Sequence, residues 1–150
     1  MPKRNAKDAA LDCFARKFNC AEAVLLGLAE AMGIEERCIP RIATGFGAGL
    51  GFCGDVCGAV SGAVMGLSLI FGRERAEDQD AKRACYEKVR QLIEAFEREF
   101  GSIKCIDLTE CDMRTPEGRA RADELDLHGK VCPAFVGFAA EMAQQLMEGQ

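Results

Sequence analysis

Nine cysteines in a chain of 150 residues are the side chains that offer the most chemistry, because thiolates ligate metals and take part in redox exchange. Three of them, Cys20, Cys57 and Cys132, fall where the sequence predicts the first turn of a helix. Cys105 begins the segment CIDLTEC, which can open a short helix. A helix N-terminus presents unpaired N–H groups and about half a positive charge, which favours the thiolate over the thiol. If a bundle brings the four together, we expect one site of redox thiols or metal ligands.

The other cysteines and the single histidine give weaker signals. Cys13 and Cys85 lie on apolar helix faces, where a free cysteine acts as a small hydrophobe. Cys53 and Cys57 form CxxxC, which differs from the CxxC of thioredoxin-like proteins, and the absence of zinc-finger spacing makes zinc the less favoured metal. His128 is expected on the surface; since it is the only histidine and no Ser/His/Asp set is visible, hydrolase chemistry is disfavoured.

A glycine-rich stretch precedes Cys57, and its residues 49–54 match the letters GxGxxG. The dinucleotide fingerprint requires a preceding strand, whereas the residues before this stretch have a helical pattern, so no nucleotide is expected. Glycine-rich backbone ahead of a helix N-terminus can still hold an anionic group on its N–H donors. The candidate cofactor-binding residues are Gly47, Gly49, Gly51 and Gly58.

Composition limits the class of protein. The chain is 49% hydrophobic and 29% charged, and its length suits one domain over residues 1–150. A net charge of −5 argues against a nucleic-acid partner. The longest apolar segment, residues 56–71, is interrupted by glycine and serine and is shorter than the ~20 residues of a membrane span. An odd number of cysteines and an N-terminus without an apolar stretch predict a reducing, cytoplasmic location.

The hydrophobic pattern predicts an all-α bundle of about six helices, because apolar residues recur every three or four positions and no long stretch alternates. The predicted segments are residues 6–18, 19–33 with Asn19 as N-cap, 35–44, 56–71 with Asp55 as N-cap, 79–100, a helix opened by Thr115 and Pro116, and 131–147. A glycine-rich loop, GFGAGLG, precedes the apolar helix. Gly54, Gly58, Gly62 and Gly66 recur every four residues and predict close helix packing inside the core.

The chain resembles a family of small bacterial and archaeal proteins to which redox activity is assigned, the C_GCAxxG_C_C proteins. The resemblance rests on NCAEAVL, the run GFGAGLG, the motif CGAVSG, the segment from Gly101 through TPEG, and VCPAFV. It implies that the family's four cysteines correspond to Cys20, Cys57, Cys105 and Cys132. A related domain in a larger cytochrome resembles the host of an iron–sulfur centre, which implies a similar centre here. Cys53 and Cys111 inherit no role from the resemblance.

Three hypotheses follow for the function. The first is an iron–sulfur protein in which Cys20, Cys57, Cys105 and Cys132 ligate a cluster for electron transfer with an unknown redox partner protein. The second keeps these residues as metal-free redox thiols, two of which pair on oxidation. The third is a non-catalytic helical protein, with cysteines as core filler or zinc ligands, that forms a homodimer through the glycine strip.

Overall fold

The computed structural model describes residues 4–149, and within this range the secondary structure is helical, in agreement with the predicted all-α class. The helices are α1 (Ala6–Ala15), α2 (Cys20–Met32), a 3-10 helix (Arg41–Phe46), α3 (Gly47–Leu50), α4 (Gly58–Phe71), α5 (Gln79–Phe100), α6 (Cys105–Thr109), α7 (Pro116–Glu124), α8 (Leu127–Lys130) and α9 (Cys132–Glu148). The count exceeds the expected six because α3, α6 and α8 are only four or five residues long. None of the helices in the described range is long and apolar enough to cross a bilayer.

The main core lies where α1, α2, α4 and α9 pack together, and α5 covers one side of it. Its largest fully buried side chains include Leu28, Leu67, Leu92, Phe96 and Val136. The amphipathic helix α5 spans the predicted range and places Leu92 and Phe96 against this core. The starts of α2, α4 and α9 are therefore positioned by the packing of these helices against one another in the core.

The glycine strip of α4 packs against α2, as the predicted close packing requires. A Cβ atom at Gly62 would lie 2.5 Å from the Ala21 carbonyl oxygen, and one at Gly66 would lie 2.5 Å from Leu28 Cδ1. Gly54 precedes α4 and is not part of the strip. Because α2 already covers the strip, it does not offer a surface for a homodimer.

The start of α4 differs from the prediction. Its N-cap is Cys57 and not Asp55, because residues 54–57 extend alongside residues 103–106 before the helix begins. The N–H of Cys57 donates to the Ile103 carbonyl (2.7 Å), and the N–H of Cys105 donates to the Asp55 carbonyl (2.7 Å). These non-local hydrogen bonds hold the first residues of α4 and α6 side by side.

Two other helix predictions differ from the structure. The predicted helix over residues 35–44 is wrong, because Pro40 lacks the N–H that a helix interior needs, and only a 3-10 helix follows it. The first helix ends at Ala15, three residues early, because Lys17 adopts a left-handed conformation (φ 79°). The capping box of Asn19 and Glu22 and the Gly33 C-cap of α2 are confirmed.

Candidate functional site

Four cysteines at four helix starts line one cavity. Cys20, Cys105 and Cys132 are the first residues of α2, α6 and α9, and Cys57 is the N-cap of α4. All four contribute to the wall of a cavity of about 420 Å³. The structure thus brings together the four cysteines that the sequence singled out, although the first and the last are 112 positions apart.

The remaining wall combines apolar and polar side chains. Its apolar part consists of Phe14, Phe52, Leu108, Met113, Leu127 and Phe135, and its polar side chains are Asn19, Thr109, Arg119, Asp123 and His128. Two of these polar side chains are engaged by the helices themselves, since Asn19 caps α2 and the Thr109 hydroxyl donates to the Cys105 carbonyl. The thiols therefore face a mainly apolar, partly enclosed space.

Backbone N–H groups surround the Cys20 sulfur. Burial raises the pKa of Cys20, and hydrogen bonds from the backbone of Ala48, Ala21 and Gly58 offset part of that rise because they favour the thiolate. Gly58 is essential to this arrangement, because a Cβ atom there would overlap the sulfur of Cys20. Ala48 reaches the sulfur from the glycine-rich segment, where its own φ is 52°.

The four glycines predicted to bind a cofactor have different surroundings. Gly49 and Gly58 line the cavity, whereas Gly47 and Gly51 are not among its wall residues. A Cβ atom at Gly47 would lie 2.6 Å from Asn19 Nδ2, and Gly49 has a φ of 67° that favours glycine. Packing and backbone conformation explain these glycines, and their proposed contact with a cofactor stays a prediction.

Burial and the helix termini have opposite effects on the pKa values of the four thiols: burial raises them and the helix-terminal N–H groups lower them. The pKa of Cys20, Cys57 and Cys105 is raised above the ordinary thiol value, in each case chiefly by burial, and burial raises the pKa of Cys132 to about 12. Repulsion from a Cys20 thiolate adds to the rise of the pKa of the other three, in line with the position of all four cysteines on one cavity wall. The sequence-based expectation of stabilised thiolates is wrong for the metal-free protein, because desolvation outweighs the helix-terminal N–H groups.

These raised pKa values predict that the reduced, metal-free protein loses stability in alkali. A thiol whose pKa is higher in the folded state stabilises the fold fully below the unfolded pKa of about 8.5. For Cys132 this contribution is lost as the pH rises from there towards about 12. Under reductant, the urea midpoint of the wild type should be lower at about pH 10 than at about pH 7. The difference between the two midpoints should be smaller for Cys132→Ser. Equal pH dependence in the wild type and the variant would contradict the assignment.

The positions of the possible ligand side chains limit which metal group the site could hold. Within residues 4–149 no three His, Cys, Asp or Glu side chains are grouped closely enough to hold a single metal ion. A structural zinc ion needs four ligands in a closed tetrahedron at about 2.3 Å, which this arrangement does not present. The four cysteines on the wall of one cavity match the number and type of ligands in a Cys₄ iron–sulfur site.

His128 and Phe14 form a part of the wall that sequence reasoning missed. The His128 ring stacks on Phe14 with 3.7 Å between ring centroids and an interplanar angle of 15°. Its Nε2 lies 2.7 Å from the Phe14 carbonyl oxygen, to which it donates in the tautomer that carries the proton there. His128 is half-buried in α8 and not simply a surface residue. No local signal could have indicated the contact, because the partners lie 114 positions apart.

Arg119 and Phe52 border the cavity where it opens to solvent. The Arg119 guanidinium lies over the Phe52 ring, 5.0 Å from its centroid, and Nη1 donates to the Met113 carbonyl (2.7 Å). Phe52 is 51% exposed and has a left-handed φ of 72°. The pair places a cation and a half-exposed aromatic ring in the wall of the cavity that the thiols line. Neither residue was predicted from the sequence.

The five other cysteines lie outside the cavity wall. Cys13 and Cys85 are buried, consistent with their predicted role as small hydrophobes, and Cys38 and Cys53 are exposed. Cys111 is buried in a small hydrophobic cluster that also contains Cys105. All nine cysteines are free thiols.

The fold and the cavity define a class: an all-helical, cysteine-rich protein whose thiols converge from separate helices. The chain belongs to the C_GCAxxG_C_C family, described as a putative redox-active protein, whose model matches residues 18–146. The match includes all four cavity cysteines and confirms the family resemblance found in the sequence. No curated protein and no solved structure shows significant similarity to the chain.

Proposed function

We propose that this redox-active protein transfers electrons through an iron–sulfur cluster ligated by Cys20, Cys57, Cys105 and Cys132. The observation that carries the proposal is that four helices each contribute one cysteine from their N-terminal end to the same cavity. Thiolates are the standard ligands of such clusters, which supply one-electron redox chemistry when bound.

The protein's own contribution would be to hold four thiolates in place and to balance their charge. Backbone N–H groups at Cys20, together with those of Ala59 and Val60 at Cys57, point at sulfurs and stabilise negative charge. Hydrogen bonds to the sulfurs and limited solvent exposure are the means by which a protein sets the potential of such a centre. The apolar side chains Phe14, Leu127 and Phe135 restrict water at the same place.

A metal-free redox protein is the second candidate, and the same convergence supports it. Two thiols in one cavity can form a disulfide with release of two electrons and two protons. Burial raises the pKa of Cys57, Cys105 and Cys132, so thiol exchange at neutral pH would be slow, because a largely protonated thiol is a slow nucleophile. A metal cation would offset that effect, because it holds its cysteine ligands as thiolates.

Iron and acid-labile sulfide measured after anaerobic purification and reconstitution would test the first candidate. We expect a coloured protein that contains both elements and loses its visible absorption in air. A colourless protein without iron after reconstitution would rule out the cluster. In that case, a reversible loss of two titratable thiols on oxidation would select the second candidate.

A further inference from the structure

Cys111 is a buried thiol that the proposed site does not use. It is 1% exposed, it is not part of the cavity wall, and the family resemblance gives it no role. Its position is nevertheless not that of an isolated core cysteine. It belongs to a small hydrophobic cluster with Cys105, Met113 and Leu127, against which Cys132 also packs.

The short helix α6 places Cys111 next to Cys105. The helix ends after five residues at Glu110, whose left-handed φ of 58° turns the chain back. Thr109 then connects the two cysteines: its hydroxyl donates to the Cys105 carbonyl (2.8 Å) and accepts the N–H of Cys111 (3.3 Å). One hydroxyl thus links the backbone at both thiols and holds them in one buried cluster.

The two thiols differ in access. Cys105 lines the cavity and can be reached from it, whereas Cys111 is fully buried and is not part of the cavity wall. A pair of thiols of this kind, one accessible and one buried beside it, is the arrangement in which a first thiol reacts and a second resolves the product.

We propose that Cys111 is the resolving thiol of Cys105, so that a low-molecular-weight disulfide entering the cavity is reduced and a Cys105–Cys111 disulfide is formed. The Cys105 sulfur attacks one sulfur of the oxidant, the oxidant's S–S bond breaks, and the first small thiol leaves with the proton of Cys105. The Cys111 sulfur then attacks the Cys105 sulfur of the mixed disulfide. The second small thiol leaves with the proton of Cys111, so two electrons pass from the protein to the oxidant.

This inference rests on the proposed redox role of Cys105 but not on what the cavity binds. The exchange is expected in iron-free protein, where the Cys105 sulfur is unligated. The disulfide would keep Cys105 from irreversible oxidation to sulfinic acid until reductant restores it. Iron content and disulfide formation are therefore separate readouts, and failure of one does not imply failure of the other.

Peptide mapping of iron-free protein treated with hydroxyethyl disulfide tests the proposal. Trypsin cleaves after Lys104 and Arg114, so the peptide of residues 105–114, CIDLTECDMR, contains Cys105 and Cys111 and no other cysteine. After acid quenching and alkylation, we expect this peptide without alkyl groups and lighter by two hydrogen atoms than its reduced form. Treatment with reductant should restore two alkylation sites.

Three variants sharpen the test. Cys111→Ala should stop the reaction at the mixed disulfide of Cys105, and Cys111→Ser serves if alanine prevents folding. Cys85→Ala, which removes a buried thiol from α5, should leave the intrapeptide disulfide unchanged. A persistent mixed disulfide at Cys105 in the wild type would overturn the proposal, as would a cross-link from residues 105–114 to the peptide that contains Cys132.

Discussion

Replacing Gly58 with alanine is expected to destabilise the fold by about 1–3 kcal/mol and to prevent assembly of the cavity. In most helices this change is favourable, because alanine restricts the unfolded chain. At Gly58 the added Cβ would overlap the Cys20 sulfur and lie 3.0 Å from the Phe46 carbonyl oxygen and 3.1 Å from the Ala21 nitrogen. Two of these three atoms belong to backbone, so α2 and α4 would have to separate.

Gly45→Ala is the matched control for this substitution. Gly45 lies in the same glycine-rich segment, but a Cβ atom there would meet no atom within 4 Å. Urea unfolding followed by circular dichroism gives the stability of both variants, and iron content after reconstitution reports on the cavity. If Gly58→Ala were as stable as Gly45→Ala and retained the same iron, the close contact of α2 and α4 at Cys20 would be refuted.

Replacing Cys57 with serine is expected to lower iron and sulfide content at least about tenfold, since loss of a direct ligand should exceed the effect of losing an outer partner. Cys57 is 6% exposed and is the N-cap of α4. Serine is among the best N-cap residues, so the helix should be retained while the thiolate is lost. The circular dichroism spectrum should therefore stay close to that of the wild type.

Cys13→Ser and Cys85→Ser are suitable controls for the loss of iron. Both remove a buried thiol that lies outside the cavity wall. We expect both to keep wild-type iron and sulfide, even if packing makes them less stable. An equal loss of iron in all three variants would mean that the Cys57 effect comes from general destabilisation and not from ligation.

The elements that could be predicted from the sequence are those fixed by local interactions. Asn19 caps α2 through its own side chain, Thr115 does the same for α7, and the apolar stripe of α5 needs no partner to be recognised. The start of α4 could not be predicted, because the extended segment before Cys57 is held by backbone hydrogen bonds to Ile103. Such pairing between distant residues leaves no periodic signal in one segment.

The candidate site shows the same division. Local signals predicted that Cys20, Cys105 and Cys132 lie at helix starts, and the structure confirms this. Cys57 also lies at a helix start, but it is itself the N-cap of α4 and does not follow an N-cap at Asp55. The direction of their pKa shifts was predicted wrongly, because burial depends on packing that involves several helices. The stacking of His128 on Phe14 could not be predicted either, because it also depends on the packing of elements that are distant in sequence.

The distribution of the four thiols over α2, α4, α6 and α9 also bears on the kinetics of the protein. Helix α6 is five residues long and α9 is 17 residues long, so these elements differ in how readily they open. Transient fraying of any one helix start would remove one ligand and leave the other three in place. The lifetime of a bound group would then be set by the least stable of the four helix starts, and its release would report local unfolding well before the bundle as a whole came apart.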